Sequence, residues 1–547
     1  MDGEKGEEEH ETLRPRLFYL TLTASIGGLV FGYYIGFITA RFGMLSDVRS
    51  ILRETIQSGL IGAIFGAAIG GCFNDCFGRK RSILIADVLI IIGGQLHLFL
   101  VLFSDKYFTE TVGNMFIAFG VGMVSMTSPL YISEFSPPKL RDIIVSVNFI
   151  LSGVGKLAFF YLYVESTRTS NYIIALAGLP ALFQFCLMFL FPESPAWLYK
   201  KDREDEAIKA LENLYTCCEV DKEFDAFKLS IRRETIDEDE ISYSGSSMFS
   251  KIRFAWSSTS VRRQFIVGTG LQVVQQLVGL NALIYSSPSI NRITGVVEPS
   301  DPKIDIPSMK ELLAGTHGIA SIFGSFFCTL CLANFGKRKL LCRSIYSMLG
   351  AVLVLSFMYI VSPNTTEVVS RSESTIYFSN NTCLSYITAP DAASWDCLTC
   401  LRASSGCGFC RGTHYNILGR FGGACLITES NGTSQACTQK NRFWSTKSCE
   451  YNIFKEPLGM TFTFFSLSYS VSLEILPWII NSQMYPIEVR GVYGGIAAAA
   501  NWTSFLIVVV LSFLLTEIGG PLFIFLLISL FLFIIVLWLI KLFLPET

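Results

Sequence analysis

The sequence predicts an all-α polytopic membrane protein, with twelve transmembrane helices in two pseudo-symmetric bundles of six and a small disulfide-rich extracellular insertion. Three observations point there. The 547-residue chain is too apolar for a soluble protein of its length, with a mean hydropathy of +0.46, 51% hydrophobic residues and only 16% charged ones. Apolar runs recur at about 20 residues, the length that crosses roughly 30 Å of hydrocarbon. Short loop signatures in the first half also return in the second.

Taken in order, an acidic tail (1–16, MDGEKGEEEHE) precedes six runs near 17–39, 55–73, 82–103, 110–132, 143–164 and 172–191, which form the bundle 17–192. No cleavable signal peptide is expected, because the first run is too long for an h-region. A linker (193–262) carries short amphipathic segments such as DEAIKALENLY and then an acidic stretch. Six further runs lie near 264–290, 311–332, 341–361, 457–480, 494–515 and 520–544. They divide into 263–362 and 456–547 around an insertion at 363–455. Arg79-Lys80-Arg81, Lys139, Arg141, Lys337-Arg338-Lys339, Arg343 and Arg490 all fall on one side, which the positive-inside rule assigns to the cytosol together with the N-terminal tail and the linker. Arg41, Arg49 and Arg53 near the opposite side leave the bias incomplete. The net charge of -2 gives no reason to expect a nucleic-acid partner. The expected partners are the bilayer and a small solute.

The insertion holds half of the sixteen cysteines: Cys383, Cys397, Cys400, Cys407, Cys410, Cys425, Cys437 and Cys449. Paired C-x2-C spacings can ligate zinc. An even set on a non-cytosolic face, beside the sequons at Asn364, Asn380 and Asn431, fits disulfides and glycosylation better, and no metal is expected. Eight cysteines allow 105 pairings, so connectivity stays open. The four histidines are scattered and form no ligand cluster. His317 in the eighth run is the one whose titration would matter. No cofactor motif or nucleophile-base constellation appears, which argues against an enzyme.

The duplication lies in the loops. Asp75-x2-Gly78-Arg79-Lys80-Arg81 matches Ala333-x2-Gly336-Lys337-Arg338-Lys339 at an offset of 258 residues, and Glu134-x2-Pro137-x3-Arg141 matches Gln483-x2-Pro486-x3-Arg490 at 349. The 91-residue difference between the offsets is close to the length of the insertion. Carboxylates and arginines at these spacings can tie helix ends together on one side of the membrane and release them in the other state. Asp75, Arg79, Glu134, Arg141, Glu193, Lys337 and Arg490 are the expected gate.

GGCFNDCFGRKR (70–81), PLYISEFSPPKLR (129–141), PESPAWL (192–198), QQLVGLN (275–281), PWIINSQMYPIEVR (477–490) and the final PET together resemble the sugar porter family of the major facilitator superfamily. WDCLTCLRASSGCGFC (395–410) resembles the plexin-semaphorin-integrin-like loop domain of inositol transporters, the plant ones most closely. The resemblance implies two bundles rocking about a polyol site near the midplane. It assigns that site to Phe31, Gln275, Gln276, Asn281, Tyr285, Trp478, Asn501 and Trp502. Three positions depart from the family pattern and put Lys156, Ser321 and Glu474 into the same site. An isolated ion at that depth is costly, so Lys156 and Glu474 are expected to pair.

The family's proton-coupled members carry an acid in FGYD of span one and an arginine in span four. Here those positions are Tyr34 and Asn114. A phenol stays neutral at physiological pH, so proton coupling through this pair is not expected. Gate charges are also thinned, at Ala333, Gln483 and Ala196. The expected function is therefore a plasma-membrane or endomembrane carrier for a polyol or sugar, myo-inositol first, without obligatory proton coupling. The alternatives are a transport-deficient sensor or binding protein, and an inositol symporter whose proton site has moved.

Overall fold

The computed structural model describes residues 15–43, 58–102, 106–165, 170–214, 256–278, 309–361, 367–378, 381–403, 406–415, 421–429, 434–446, 455–517, 529–535 and 537–538, with Arg253, Cys449 and Leu527. In the first half the helices are α1 (Pro15–Gly43), α2 (Leu60–Phe77), α3 (Arg79–Leu102), α4 (Lys106–Phe135), α5 (Arg141–Glu165), α6 (Ser170–Ala175) and α7 (Gly178–Met188). Two short helices follow, α8 (Pro195–Lys200) and α9 (Glu204–Glu212). The second half has α10 (Thr259–Leu277), α11 (Met309–Phe335), α12 (Lys337–Val361), α13 (Lys455–Val471), α14 (Leu476–Gln483) and α15 (Arg490–Glu517). Among the described residues, nine helical segments are long and apolar enough to span a bilayer.

Two of the expected spans are interrupted. The sixth is split into α6 and α7 by a turn at Leu176–Ala177. The tenth is split into α13 and α14 at residues 472–475, and the cause is Pro477 in the first turn of α14. Proline has no N–H to give the Leu473 carbonyl, so the α-helical ladder cannot run through it. Trp478 N–H instead donates to Ile475 O, which leaves the Glu474 carbonyl free of its helical partner.

The two halves meet along α2 against α15 and α5 against α11. A Cβ on Gly71 of α2 would stand 2.5 Å from the Gly491 carbonyl oxygen and 2.9 Å from Gly495 Cα, so backbone lies on backbone at this seam. The duplicated loops share a backbone feature as well as a sequence: Gly78 (φ 102°) and Gly336 (φ 71°) both take the positive φ that glycine allows, immediately before α3 and α12.

The insertion is not helical throughout. Strands β1 (Val368–Val369), β2 (Cys407–Tyr415), β3 (Phe421–Ile427) and β4 (Trp444–Ser445) form a sheet in the order β1-β3-β2-β4, with β1 parallel to β3 and the other pairs antiparallel. Four disulfides close it: Cys383–Cys407, Cys397–Cys449, Cys400–Cys425 and Cys410–Cys437. The first three pack with Tyr386, Trp395 and Phe409 in one small core, and Cys410–Cys437 packs with Phe378, Ala424 and Leu426 in another; together they substitute for the hydrophobic volume so short a segment lacks. The sequons Asn364, Asn380 and Asn431 lie outside the described residues.

Candidate functional site

The break in the tenth span organises the centre of the molecule. The freed Glu474 carbonyl accepts a hydrogen bond from Gln275 Nε2 of α10 at 3.0 Å. The Glu474 side chain pairs with Lys156 Nζ of α5 and accepts from Ser321 Oγ of α11 at 2.6 Å, while Lys156 Nζ stands 3.3 Å from the same hydroxyl. Three elements from both halves thus converge on one ion pair. Lys156 is 9% exposed and Glu474 7%, and both charges find partners as burial demands.

Beside the pair lies an amide relay. Gln276 Nε2 donates to Asn501 Oδ1 at 3.0 Å, and Asn501 Nδ2 donates to Gln275 Oε1 at 2.7 Å and to the Gln272 carbonyl at 2.9 Å. An aromatic wall completes the site. Phe31 of α1 meets Trp478 and Trp502 edge-on, each at 5.7 Å between ring centres. Several buried polar atoms here have no partner among the described residues: Glu474 Oε2, Trp502 Nε1, His317 Nδ1 and both side-chain atoms of Gln272. His317 faces Tyr469 at 6.2 Å. Gln272 escaped the sequence reading, and its signal was its place at i−3 and i−4 to Gln275 and Gln276 on one helix face. Asn281 and Tyr285 lie outside the described residues.

Tyr34 is fully buried, and its hydroxyl donates to the Ser58 carbonyl at 2.8 Å. Asn114 Oδ1 stands 2.9 Å from His97 Nε2. The two positions where the family resemblance implies an acid–arginine couple are thus engaged with other neighbours.

The gate residues gather at the basic end. Arg79 is fully buried, with Nη2 donating to Glu134 Oε1 at 2.9 Å, Nε standing 2.9 Å from Oε2, and Nη1 donating to the Asn74 carbonyl at 2.9 Å. Asp75 is 3.5 Å from both Arg79 and Lys200, and its Oδ2 accepts the Val492 N–H across the seam at 3.1 Å. Glu193 caps α3 by accepting the backbone N–H groups of Arg79 and Lys80, at 2.8 and 2.9 Å. Glu134 was expected to act with Arg141, seven residues on. It bonds instead to Arg79 and Ser194 and lies 4.0 Å from Arg490, whereas Arg141 Nε points to the Ser136 carbonyl at 3.4 Å. In the second half Lys337 pairs with Asp142 at 2.9 Å, and Gln483 bridges them at 3.0 Å to each. Asp142 and Lys200, which also holds the Ile487 and Glu488 carbonyls, were not anticipated.

With this geometry in view, comparison with known proteins is direct. A family model described as "Sugar (and other) transporter" matches residues 20–378 and 424–547, and the gap falls inside the insertion. The chain is 36% identical over 518 residues to probable inositol transporter 2 of Arabidopsis thaliana, covering 92% of this chain and 85% of that one. It is 27% identical to the human proton myo-inositol cotransporter, covering 91% and 75%. Its fold matches the proton:xylose symporter XylE bound to 6-bromo-6-deoxy-D-glucose, with a TM-score of 0.65 over 97% of this chain and 96% of that one at 20% identity. The chain therefore belongs to the sugar transporter family, and is an integral membrane carrier of the major facilitator fold rather than an enzyme.

Proposed function

We propose that this carrier moves myo-inositol or a closely related polyol across the plasma membrane by alternating access, without coupling to protons through span one. The observation that carries the reading is the set of polar atoms without a partner among the described residues, Glu474 Oε2, Trp502 Nε1 and the Gln272 amide, in the site that also holds the aromatic side chains of Phe31, Trp478 and Trp502. A cyclic polyol presents hydroxyls that need donors and acceptors, and C–H faces that pack on aromatic rings. The Arabidopsis and human relatives are named for inositol, which favours that substrate over hexoses. Backbone closure at the seam and the Arg79–Glu134–Arg490 cluster supply a gate at the basic end. Tyr34 and Asn114 support a cycle without coupling through span one: neither is a carboxylate, and each is held by a different neighbour.

A second reading keeps proton coupling and moves its site. His317 Nδ1 and Glu474 Oε2 are unpartnered beside Lys156, and a proton could alternate there between conformations. One experiment separates the two. Purified protein in liposomes should take up labelled myo-inositol saturably, at the same rate with and without an imposed pH gradient. A substrate-evoked inward proton current that Glu474→Gln abolishes would establish the second reading. Binding of inositol without uptake in either condition would mark the chain as a sensor.

A further inference from the structure

At the basic end, on the outer side of the first half, α3, the end of α7, α8 and α9 enclose a cavity of about 500 Å³. Its charged lining is Lys80, Arg81, Arg203, Lys209, Glu193 and Glu206. Both acids are already engaged. Glu193 is spent on the N–H groups that begin α3, and Glu206 takes Arg203 with both oxygens, at 2.8 and 2.5 Å. Lys80 Nζ donates to the Phe191 carbonyl at 2.6 Å and lies over the Phe189 ring at 5.9 Å. The Arg81 guanidinium and the Lys209 ammonium have no side-chain partner among the described residues. A further cation, Arg16 at the start of α1, reaches the rim by donating to the Asn213 carbonyl at 3.1 Å.

The cavity opens beside an apolar surface. Phe189 is 59% exposed and Leu190 75%, at the end of the sixth span. Apart from Glu193, which belongs to the expected gate, the transport cycle described above uses none of these groups.

We propose that this cavity binds the phosphate headgroup of an anionic phospholipid from the leaflet at the basic face, with Arg81 and Lys209 holding the phosphate and Phe189 and Leu190 flanking the acyl chains. Two unspent cations next to exposed aromatic and aliphatic side chains fit a ligand with an anionic head and an apolar tail. A soluble phosphate ester would use the first feature and leave the second without a purpose. The position, on the side that the basic loops assign to the cytosol, is where anionic lipids concentrate.

The test is lipid titration of the full chain by native mass spectrometry. Wild type should retain phosphatidylserine over phosphatidylcholine. Each cation near an anionic headgroup contributes about fivefold in affinity, so Arg81→Gln with Lys209→Gln should bind phosphatidylserine about 25-fold more weakly and phosphatidylcholine unchanged. Both side chains lie at the surface, and an unchanged elution volume and thermal midpoint will confirm that the variant folds. The pair Lys339→Gln with Arg343→Gln, basic residues at the matching turn of the other half, should have no effect. Equal losses in both variants would mean diffuse surface attraction and would overturn the site, as would full retention in the first. Glycerol 3-phosphate, which has the head without the tails, should not displace the lipid at equal concentration. If it does, the cavity takes a soluble ester and the lipid proposal fails.

Discussion

At the basic end of the first half, the turn at Gly78 leads into Arg79, whose side chain is fully buried against a carboxylate that is 1% exposed. At the matching turn of the second half, Gly336 leads into Lys337, whose side chain is 25% exposed and meets an aspartate that is 29% exposed. The positive-φ glycine is repeated and the electrostatics are not. Ion pairs near water contribute under about 1 kcal/mol, whereas breaking a buried pair orphans a charge at a cost of about 3–5 kcal/mol. The second half also borrows its acid, because Gln483 is neutral and Asp142 belongs to the first half. Both copies thus keep the positive-φ glycine, while the strong electrostatic contact sits in only one of them.

The sharpest way to break this comparison is at Arg79. Arg79→Ala should lower stability by about 3–5 kcal/mol by stranding Glu134, read as a large fall in the thermal midpoint of purified protein. Glu134→Gln should be milder, because the amide can still accept a hydrogen bond from the guanidinium. A midpoint for Arg79→Ala within a degree of wild type would show that the buried cluster is not a structural lock.

Next in size is the ion pair at the centre, to which each half contributes one charge. Lys156→Gln alone should cost about 2–4 kcal/mol, less than Arg79→Ala because the pair keeps some contact with solvent. Lys156→Gln combined with Glu474→Gly should recover part of that loss, with a coupling of roughly 1–3 kcal/mol in a double-mutant cycle of thermal midpoints. Strict additivity would mean that the two charges are stabilised separately.

The smallest effect belongs to the second half. Lys337→Ala should cost under about 1 kcal/mol, and added salt should shrink the difference from wild type. A loss as large as that of Arg79→Ala would erase the asymmetry.

Much of this was legible in the sequence. Apolar run length located the spans, the loop signatures exposed the duplication, and the cost of ions in a membrane interior placed Lys156 with Glu474. The break at residues 472–475 was missed because an apolar run containing one proline still averages as a continuous span. Asp142 and Lys200 were missed for a different reason. Their partners Gln483 and Ile487 lie 341 and 287 residues away, and no local spacing announces such contacts. The disulfide pattern was likewise closed to spacing, since Cys397 skips its near neighbours to join Cys449, 52 residues on. The amides of α10 could be named from the sequence, but their relay through Asn501 depends on α10 and α15 lying side by side.

The seam of Gly71, Gly491 and Gly495 bears on the speed of the cycle as well as its geometry. When two protein surfaces close, each long side chain caught between them loses rotamer freedom worth up to about 2 kcal/mol. Glycine has no rotamers to lose. Under the proposed alternating access, backbones that touch here would part and meet again with little entropic cost and no side-chain repacking, so the seam would act as a bearing surface between the halves.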